Sequence, residues 1–232
     1  MLRRHRRAFL WSTALLLGAI GTLFLVGKHP DAAATTTTLP AIGRIDASVA
    51  EWVERIRVAP LTWVFRALNV IGGGIVTIPL RAVALGVLAA RRRWHAFTAF
   101  ALTWASAEVT LWVLKRWFDR GRPPGALVET VGASFPSGHA VAGAATAVAL
   151  VLAFFLPAPA RRRWEWIAVG FAFLMAFSRV YLGAHWLSDV VAGVLLGSGI
   201  AIFWFAALTE LRHLAVTRAA HHRSPTAATA DT

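Results

Sequence analysis

Long apolar runs alternate with short polar segments along most of this chain. A helix needs roughly 20 apolar residues to cross the ~30 Å hydrocarbon layer of a membrane, and six segments approach that length. Their approximate bounds are residues 8–27, 64–90, 95–114, 138–157, 164–182 and 187–209. The pattern predicts an all-α fold, a polytopic bundle of six transmembrane helices. Gly72-Gly73-Gly74 within the second segment predicts close helix packing or a kink.

The polar segments divide the chain into four predicted parts. Residues 1–27 form a basic start and the first membrane helix, residues 28–63 an outer linker and an interfacial helix, residues 64–209 the main membrane domain, and residues 210–232 a disordered tail. The interfacial helix is predicted because apolar residues recur at helical spacing from Ile45 to Ile56. Residues 1–34 also resemble a secretory signal, but their apolar run exceeds the ~7–15 residues of a signal core, which favours a retained helix.

The composition agrees with a membrane protein and narrows the classes of function. Hydrophobic residues make up 57% of the chain and charged residues 15%, while the formal net charge is +13. The positive charges lie in short blocks between apolar runs rather than along one polar domain, which argues against nucleic-acid binding. The chain has no cysteine, so disulfides and thiolate chemistry are excluded.

Basic residues concentrate at one set of helix ends. Four arginine-containing segments, residues 3–7, 91–93, 161–163 and 212–223, fall on the same side of a six-helix arrangement. The positive-inside rule places such segments in the cytoplasm. We therefore expect a multi-pass cell-membrane protein with both termini in the cytoplasm, and with the loops near residues 115–139 and 179–189 on the extracytoplasmic side.

A second set of polar residues lies at the opposite helix ends. It comprises Lys115, Arg122 and Pro123, then Pro136, Ser137, Gly138 and His139, and then Ser178, Arg179, His185 and Asp189. Because these ends are predicted to share one side of the membrane, we expect the residues to surround one small volume. Three cations, two histidines and a carboxylate are the groups needed to break a phosphate ester without a metal ion.

Lys115, Arg122 and Arg179 are the candidate ligands of phosphate oxygens. Phosphoryl transfer requires neutralisation of the charge on the equatorial oxygens, and arginine can contact two oxygens at once. A single cation at a helix end more often anchors the helix or touches lipid headgroups. The convergence of three such residues favours a phosphate site instead.

The run Pro136-Ser137-Gly138-His139 begins the fourth predicted helix. The Ser137 hydroxyl and the free amides of Ser137, Gly138 and His139 can face an anion at the positive end of this helix. A plain helix start explains a Ser-Gly pair equally well, but a histidine in this place can also pass a proton to a leaving oxygen. His139 is therefore a candidate general acid.

His185 and Asp189 are four residues apart, so on a helix they lie one turn apart on the same face. The carboxylate can accept a hydrogen bond from one ring nitrogen and leave the lone pair of the other aimed at phosphorus. Ser188 or Asp189 can also cap the start of the helix, and the two roles are compatible. His185 is thus the candidate nucleophile.

Together these motifs resemble the signature of the type 2 phosphatidic acid phosphatase (PAP2) superfamily. Residues 115–123 fit K-x6-R-P, residues 136–139 fit P-S-G-H, and residues 178–189 fit S-R-x5-H-x3-D. The similarity covers about residues 45–209 without a departure inside the motifs. The family also contains soluble vanadium-dependent haloperoxidases, and the six apolar segments argue against that branch.

The resemblance implies a role for each matched residue. His185 would attack phosphorus to form a phosphohistidine, Asp189 would orient it, and His139 would protonate the departing group and then activate water. The remaining matched residues would bind the phosphate: Lys115, Arg122, Ser137, Gly138 and Arg179. Neither a metal ion nor another cofactor is expected.

Four further charged residues near the motifs receive no catalytic role from the sequence. Arg116, Asp119 and Arg120 occupy unspecified positions of the first motif and are expected only to shape its loop. Glu108 lies seven residues before Lys115, on about the same helix face two turns deeper. It either pairs with a cation of the site or serves as a packing residue.

The predicted function is hydrolysis of a lipid phosphate or diphosphate presented by the outer membrane leaflet. Phosphatidic acid, phosphatidylglycerol phosphate and polyprenyl diphosphates are all candidate substrates, because the motifs contact only the phosphate end. One alternative is a phosphotransferase that passes the phosphoryl group to another lipid. The other is a non-catalytic lipid-binding membrane protein, which the presence of both histidines and the aspartate argues against.

Overall fold

The protein is a bundle of helices. The structure, a computed structural model, describes residues 2–26, 40–155 and 159–223, and within these ranges the chain forms eight α-helices and no β-strand. The helices are α1 (Leu2–Val26), α2 (Pro40–Arg55), α3 (Ala59–Gly72), α4 (Gly74–Ala90), α5 (Trp94–Phe118), α6 (Gly138–Phe154), α7 (Arg161–Tyr181) and α8 (Leu187–Arg223). The predicted all-α fold is therefore confirmed.

Helix α8 lies at the centre of the bundle and packs against α1, α5, α6 and α7. Two of its glycines let α6 approach closely, since a Cβ at Gly193 would lie 2.9 Å from the Ser137 oxygen and one at Gly197 would lie 3.0 Å from the Ala145 nitrogen. Small residues four apart are typical of tightly packed membrane helices. Helices α6 and α8 run in the same direction, so their first turns lie side by side. The Ser137 amide accordingly donates to the Asp189 carbonyl at 3.1 Å.

The second predicted span, residues 64–90, consists of two helices rather than one. Helices α3 and α4 are separated at Gly73 and bent by 46°, which confirms the kink predicted from the three glycines. At the bend the backbone lies close to α6 and α7, because a Cβ at Gly72 would fall 3.0 Å from the His139 ring and closer still to Met175. The break therefore brings the end of α3 to His139.

Two helices, α5 and the part of α8 up to Arg218, are long and apolar enough to cross a membrane by length and composition, and the bent pair α3–α4 makes a third if it counts as one span. Helix α6 and the segment Ala8–Leu23 of α1 are apolar but shorter. Two or three candidate membrane spans are therefore present in the described part of the chain, and the count of six stays a prediction.

Two chain segments differ from the predicted organisation or fall outside the described part. Helix α8 continues to Arg223, so residues 210–223 are helical where the sequence predicted a disordered tail. This segment lacks glycine and proline and is rich in alanine, leucine and arginine, which favour helix even without burial. Residues 224–232 and the predicted linker at residues 28–39 lie outside the described residues.

The outer helix predicted near residues 45–56 is observed as α2. It is amphipathic, because Val53 is fully buried against α7 and α8 while the side chains of Ile45 and Trp52 are about half exposed. Helix α2 therefore lies directly over the end of the bundle at which α8 begins.

Candidate active site

Four helix ends meet at one end of the bundle: the C-terminal ends of α5 and α7 and the N-terminal ends of α6 and α8. They and the loops between them bring together all eight predicted site residues, which are Lys115, Arg122, Ser137, Gly138, His139, Arg179, His185 and Asp189. Lys115 lies close enough to Arg122, Arg179 and Asp189 for an electrostatic interaction with each. His139 in turn interacts electrostatically with Arg179, Arg122 and His185.

The His185 ring is buried between two groups that specify its tautomer. Its Nδ1 atom lies 3.5 Å from Asp189 Oδ2, and its Nε2 atom lies 3.3 Å from Nη1 of Arg122. A carboxylate only accepts hydrogen bonds and a guanidinium only donates them. Both neighbours therefore favour a proton on Nδ1 and an unprotonated Nε2, which is the form a nucleophile requires.

Burial is also what keeps this ring neutral. It lowers the pKa of His185 from 6.5 to about 4, and the positive charges of Arg122 and Arg179 act in the same direction. The hydrogen bond and negative charge of Asp189 oppose this shift without reversing it. At neutral pH the ring therefore has an unprotonated nitrogen facing Arg122.

Asp189 is held by donors from three directions. Its Oδ2 accepts from the Ser134 hydroxyl at 2.5 Å and from the Trp186 amide at 2.9 Å, and its Oδ1 accepts from Arg120 at 2.5 Å. Asp189 is the third residue of α8, so it reaches back to the amide that precedes the helix, as in one half of a capping box. It is not the N-cap residue that the sequence offered as an alternative, yet it stabilises the same helix start.

His139 lies at the start of α6 against the bend between α3 and α4. Its Nε2 atom lies 3.1 Å from the backbone oxygen of Asn69, and the Asn69 side-chain oxygen accepts from Nη1 of Arg179. A carbonyl oxygen accepts only, so Nε2 of His139 bears a proton. Asn69 thereby orients both His139, the candidate acid, and Arg179, a candidate phosphate ligand.

Loop carbonyls orient the cations from α5 and the following loop. Arg122 donates from Nε to Gly132 and from Nη2 to Val131, both at 2.9 Å, and from Nη1 to Ala184 at 2.7 Å. Lys115 donates to the Ala133 carbonyl. Burial lowers the pKa of Arg122 from its ordinary value, but a guanidinium in a protein keeps its charge. Both side chains reach the Ala133 carbonyl, so the two positive charges lie close together, and Arg122 is the one beside the His185 ring.

Two buried polar atoms in this cluster have no hydrogen-bond partner among the described residues: the Ser137 hydroxyl oxygen and Nε of Arg179. Ser137 is the N-cap residue of α6, yet its hydroxyl makes no capping bond in the described structure. An unsatisfied buried polar group costs roughly 1–3 kcal/mol. A ligand whose oxygens both accept and donate hydrogen bonds would satisfy both atoms.

The predicted cradle of three amides needs one correction. The Ser137 amide already donates to the Asp189 carbonyl at 3.1 Å, because the close packing of α6 and α8 brings the two together. Gly138 and His139 are the first two residues of α6, where backbone amides have no acceptor within the helix. Two amides, rather than three, are therefore available to an anion at this helix end.

Four residues of the cluster were not assigned from the sequence: Asp46, Asn69, Arg120 and Ser134. Asn69 carried a usable signal, since an amide side chain inside an apolar segment marks a position that needs a partner. Arg120 lies inside the first motif at a position without a specified residue. Ser134 lies in a loop and Asp46 on a distant helix, so neither spacing nor periodicity links them to Asp189.

The side chains around the site were also compared with the ligands that a metal ion requires. Across residues 2–26, 40–155 and 159–223, no group of three or more His, Asp or Glu side chains is arranged to hold a metal ion. The donors around His185 are mainly cations, a hydroxyl and amides, which suit an anion rather than a metal. Metal-independent chemistry remains a prediction.

Comparison with protein families and known proteins places this cluster in context. Residues 94–212 match the model of the PAP2 superfamily. Phosphatidylglycerophosphatase B of Bacillus subtilis (strain 168) is 31% identical over 163 residues, which are 68% of this chain and 80% of that protein. Undecaprenyl-diphosphatase of Sulfolobus acidocaldarius is 45% identical over 69 residues, which are 29% of this chain and 30% of that protein.

Solved structures share the architecture. The crystal structure of a transmembrane PAP2 type phosphatidylglycerolphosphate phosphatase from Bacillus subtilis superimposes with a TM-score of 0.70 at 27% identity, covering 86% of this chain and 96% of that one. Aquifex aeolicus LpxE has the same fold, with a TM-score of 0.58 at 24% identity over 68% of this chain and 93% of that one. The family model, the long match to a curated relative and the shared fold agree with the motifs, and this chain belongs to the PAP2 superfamily.

Proposed function

We propose that this protein is an integral membrane phosphatase that hydrolyses a lipid phosphate or diphosphate through a phosphohistidine on His185. The observation that supports this most directly is the pair of unpartnered buried atoms, the Ser137 hydroxyl and Nε of Arg179, in a cluster where Arg122 lies beside the His185 ring. Relatives named as lipid phosphatases support the same class of reaction.

In the first step Nε2 of His185 attacks phosphorus and the bond to the ester oxygen breaks. The cations Lys115, Arg122 and Arg179 neutralise the charge on the equatorial oxygens, and the hydroxyl of Ser137 donates to one of them. His139, in its doubly protonated form, gives one proton to the departing oxygen and becomes neutral, so the lipid leaves as an alcohol, or as a monophosphate when the substrate is a diphosphate.

The second step hydrolyses the phosphohistidine. His139, now without the proton it donated, takes one from a water molecule, and the water oxygen attacks phosphorus as the bond to His185 breaks. Inorganic phosphate leaves and both histidines return to their starting states. Asp189 keeps its contact with Nδ1 of His185 throughout and stabilises the charge that develops on the ring.

An apolar cavity supports a lipid as the substrate. It has a volume of about 280 Å³ and runs between α1, α5 and α8. Among its lining residues are Leu16, Leu23, Leu114, Phe135, Pro136 and Leu196. Pro136 directly precedes Ser137, so a hydrocarbon chain in this cavity would end next to the proposed phosphate site.

The extracytoplasmic location of the site is a further part of the proposal. Helix α5 begins after the arginine cluster at residues 91–93 and ends at the site. With a rise of ~1.5 Å per residue, Arg93 and Lys115 are separated by about 33 Å, which is close to the ~30 Å thickness of the hydrocarbon layer. The arginine cluster at residues 161–163 is similarly at the opposite end of α7 from Arg179. The positive-inside rule then assigns the site to the outer leaflet.

A panel of lipid phosphates tests the function. Purified protein in detergent is given phosphatidylglycerol phosphate, phosphatidic acid and a polyprenyl diphosphate in EDTA, and phosphate release is measured. We expect release from at least one lipid in chelator, and a loss of several orders of magnitude in folded His185→Ala. Turnover of His185→Ala at the normal rate would refute the mechanism. Complete loss in EDTA that Mg²⁺ restores would contradict the metal-free step, and transfer to an added lipid alcohol in preference to water would identify a phosphotransferase.

A further inference from the structure

Arg120 connects the outer helix α2 to the carboxylate that faces the candidate nucleophile. Its Nη1 donates to Asp189 Oδ1 at 2.5 Å and its Nη2 donates to Asp46 Oδ2 at 2.7 Å. The three side chains are almost fully buried, with 8% of Arg120, 2% of Asp46 and none of Asp189 exposed. Two buried carboxylates are thus bridged by one guanidinium.

Ser188 closes this network around the first turn of α8. Asp46 Oδ1 accepts from the Ser188 amide at 2.9 Å, and Asp46 Oδ2 accepts from the Ser188 hydroxyl at 2.7 Å. Asp46 therefore caps α8 from another helix, since it satisfies an amide of the first turn. Nη1 of Arg120 also donates to the Ser188 hydroxyl at 2.7 Å. Each oxygen of Asp46 thus has a donor, and the geometry of α2 relative to α8 is fixed at this point.

The hydrogen bonds of Arg120 separate it from the cations of the phosphate site. Arg120 directs both terminal nitrogens to carboxylates, whereas Arg122 contacts the His185 ring and Arg179 has an unpartnered Nε. The Cζ atom of Arg120 lies 5.6 Å from the centre of the Trp186 ring, which adds a cation–π contact. Arg120 is therefore committed to Asp189 and its surroundings rather than to a phosphate.

We propose that Arg120 is a positioning residue, which holds Asp189 against the His185 ring, and that Asp46 makes α2 part of this arrangement. The proposal rests on the role of His185 as nucleophile. A buried carboxylate without a cation is strongly disfavoured, so without Arg120 the Asp189 side chain would turn away or bind another cation of the site. Lysine is a poor replacement, because its single charged atom cannot bridge two carboxylates as the planar fork of arginine does.

Kinetics of Arg120→Met, Arg120→Lys and Asp46→Asn in purified protein test this proposal, with thermal unfolding measured on the same samples. A misplacement of ~1 Å can cost about a hundredfold in rate. We therefore expect Arg120→Met to lower kcat about a hundredfold, Arg120→Lys to recover part of that loss and Asp46→Asn to lower kcat about tenfold. Because the phosphate ligands remain, KM should stay within about twofold. Arg116→Met, an exposed arginine of the same motif, is the matched control and should keep normal kinetics.

A double variant of Arg120→Met and Asp189→Asn shows whether Arg120 acts through Asp189 or independently of it. If Arg120 acts through Asp189, adding Arg120→Met to Asp189→Asn should lower kcat by less than about threefold. An equal loss in both backgrounds would show that Arg120 acts elsewhere and would overturn the proposal. Should Arg120→Met fail to fold, Asp46→Asn decides, and a normal kcat in that variant would overturn the link to α2.

The same experiments separate this inference from the proposed function. An inactive, folded His185→Ala together with a fully active Arg120→Met would refute the positioning role alone. A normally active His185→Ala would refute the nucleophile and, with it, the reason for holding Asp189 in place.

Discussion

Nη1 of Arg122 lies 3.3 Å from Nε2 of His185, so a candidate phosphate ligand occupies the lone pair that would attack phosphorus. A bound phosphate offers oxygens that accept from a guanidinium more strongly than a neutral ring nitrogen does. Binding of substrate would move this hydrogen bond to an oxygen and free the lone pair. In the proposed mechanism Arg122 would thereby link phosphate binding to exposure of the nucleophile.

The first prediction follows from this contact. Arg122→Lys keeps the charge but loses the two-pronged geometry, so we expect kcat/KM to fall about a hundredfold, as for the loss of one charge-stabilising donor. Steady-state kinetics with a lipid phosphate measure the effect. Arg116→Lys is the matched control, since Arg116 is exposed and lies 4.2 Å from the centre of the Trp112 ring. Equal kinetics for Arg122→Lys and the wild type would contradict the role of Arg122.

The second prediction concerns His139 as the acid for the leaving group. p-Nitrophenolate leaves without a proton, whereas a lipid alkoxide requires one. We therefore expect the phosphorylation step in His139→Ala to slow much more for a lipid phosphate than for p-nitrophenyl phosphate. Single-turnover kinetics on both substrates separate this step from the hydrolysis that follows. Equal slowing on the two substrates would exclude His139 as the acid.

The third prediction uses the pKa of His185, which burial lowers from 6.5 to about 4. Between these values the unfolded chain binds a proton that the folded protein excludes. The stabilisation from the neutral ring is therefore complete above pH 6.5 and is lost as the pH falls towards 4. Thermal unfolding of wild type and His185→Gln in detergent, at about pH 7.5 and about pH 5, tests the sign. The wild type should lose more stability on acidification, and an equal loss in His185→Gln would disprove it.

The fourth prediction concerns the side of the membrane on which the site lies. The chain has no cysteine, so single introduced cysteines can be labelled without background. Glu129→Cys in the site loop and Ala160→Cys beside the cluster at residues 161–163 are both exposed positions. Gly125 is a poorer choice, because its φ of +70° favours glycine. A membrane-impermeant maleimide applied to intact cells should label position 129 and miss position 160. The reverse pattern would place the site in the cytoplasm.

The sequence predicts well which residues come together at one end of the bundle, and the reason is physical. Phosphate chemistry restricts residue type at each of the eight positions, and helix geometry brings the ends of apolar segments together. This argument places Lys115 at the end of α5 and His139 at the start of α6, where the structure has them. The bend at Gly73 is equally local, because three consecutive glycines weaken a helix wherever they occur.

The residues that support the site are brought together by tertiary packing. Their contacts leave no motif or periodic pattern in the sequence. Asp46 meets Arg120 across 74 positions of sequence, and Ser134 meets Asp189 across 55. The Ser137 amide was expected to face an anion, but the approach of α8 at Gly193 gives it the Asp189 carbonyl instead. Contacts of this kind depend on the direction and separation of two helices, which hydrophobic periodicity does not contain.

The central claim is a covalent bond between phosphorus and His185, and trapping that bond tests it most directly. His139→Ala is mixed with p-nitrophenyl phosphate, because the first step then needs no acid while the second lacks its base, so the phosphoenzyme should accumulate. After quenching in alkali, where phosphohistidine is stable, peptides are analysed by mass spectrometry. We predict one phosphoryl group on His185 and none in the double variant that also contains His185→Ala. A phosphoryl group on another residue, or rapid release of p-nitrophenol from His139→Ala without an adduct on His185, would contradict the account.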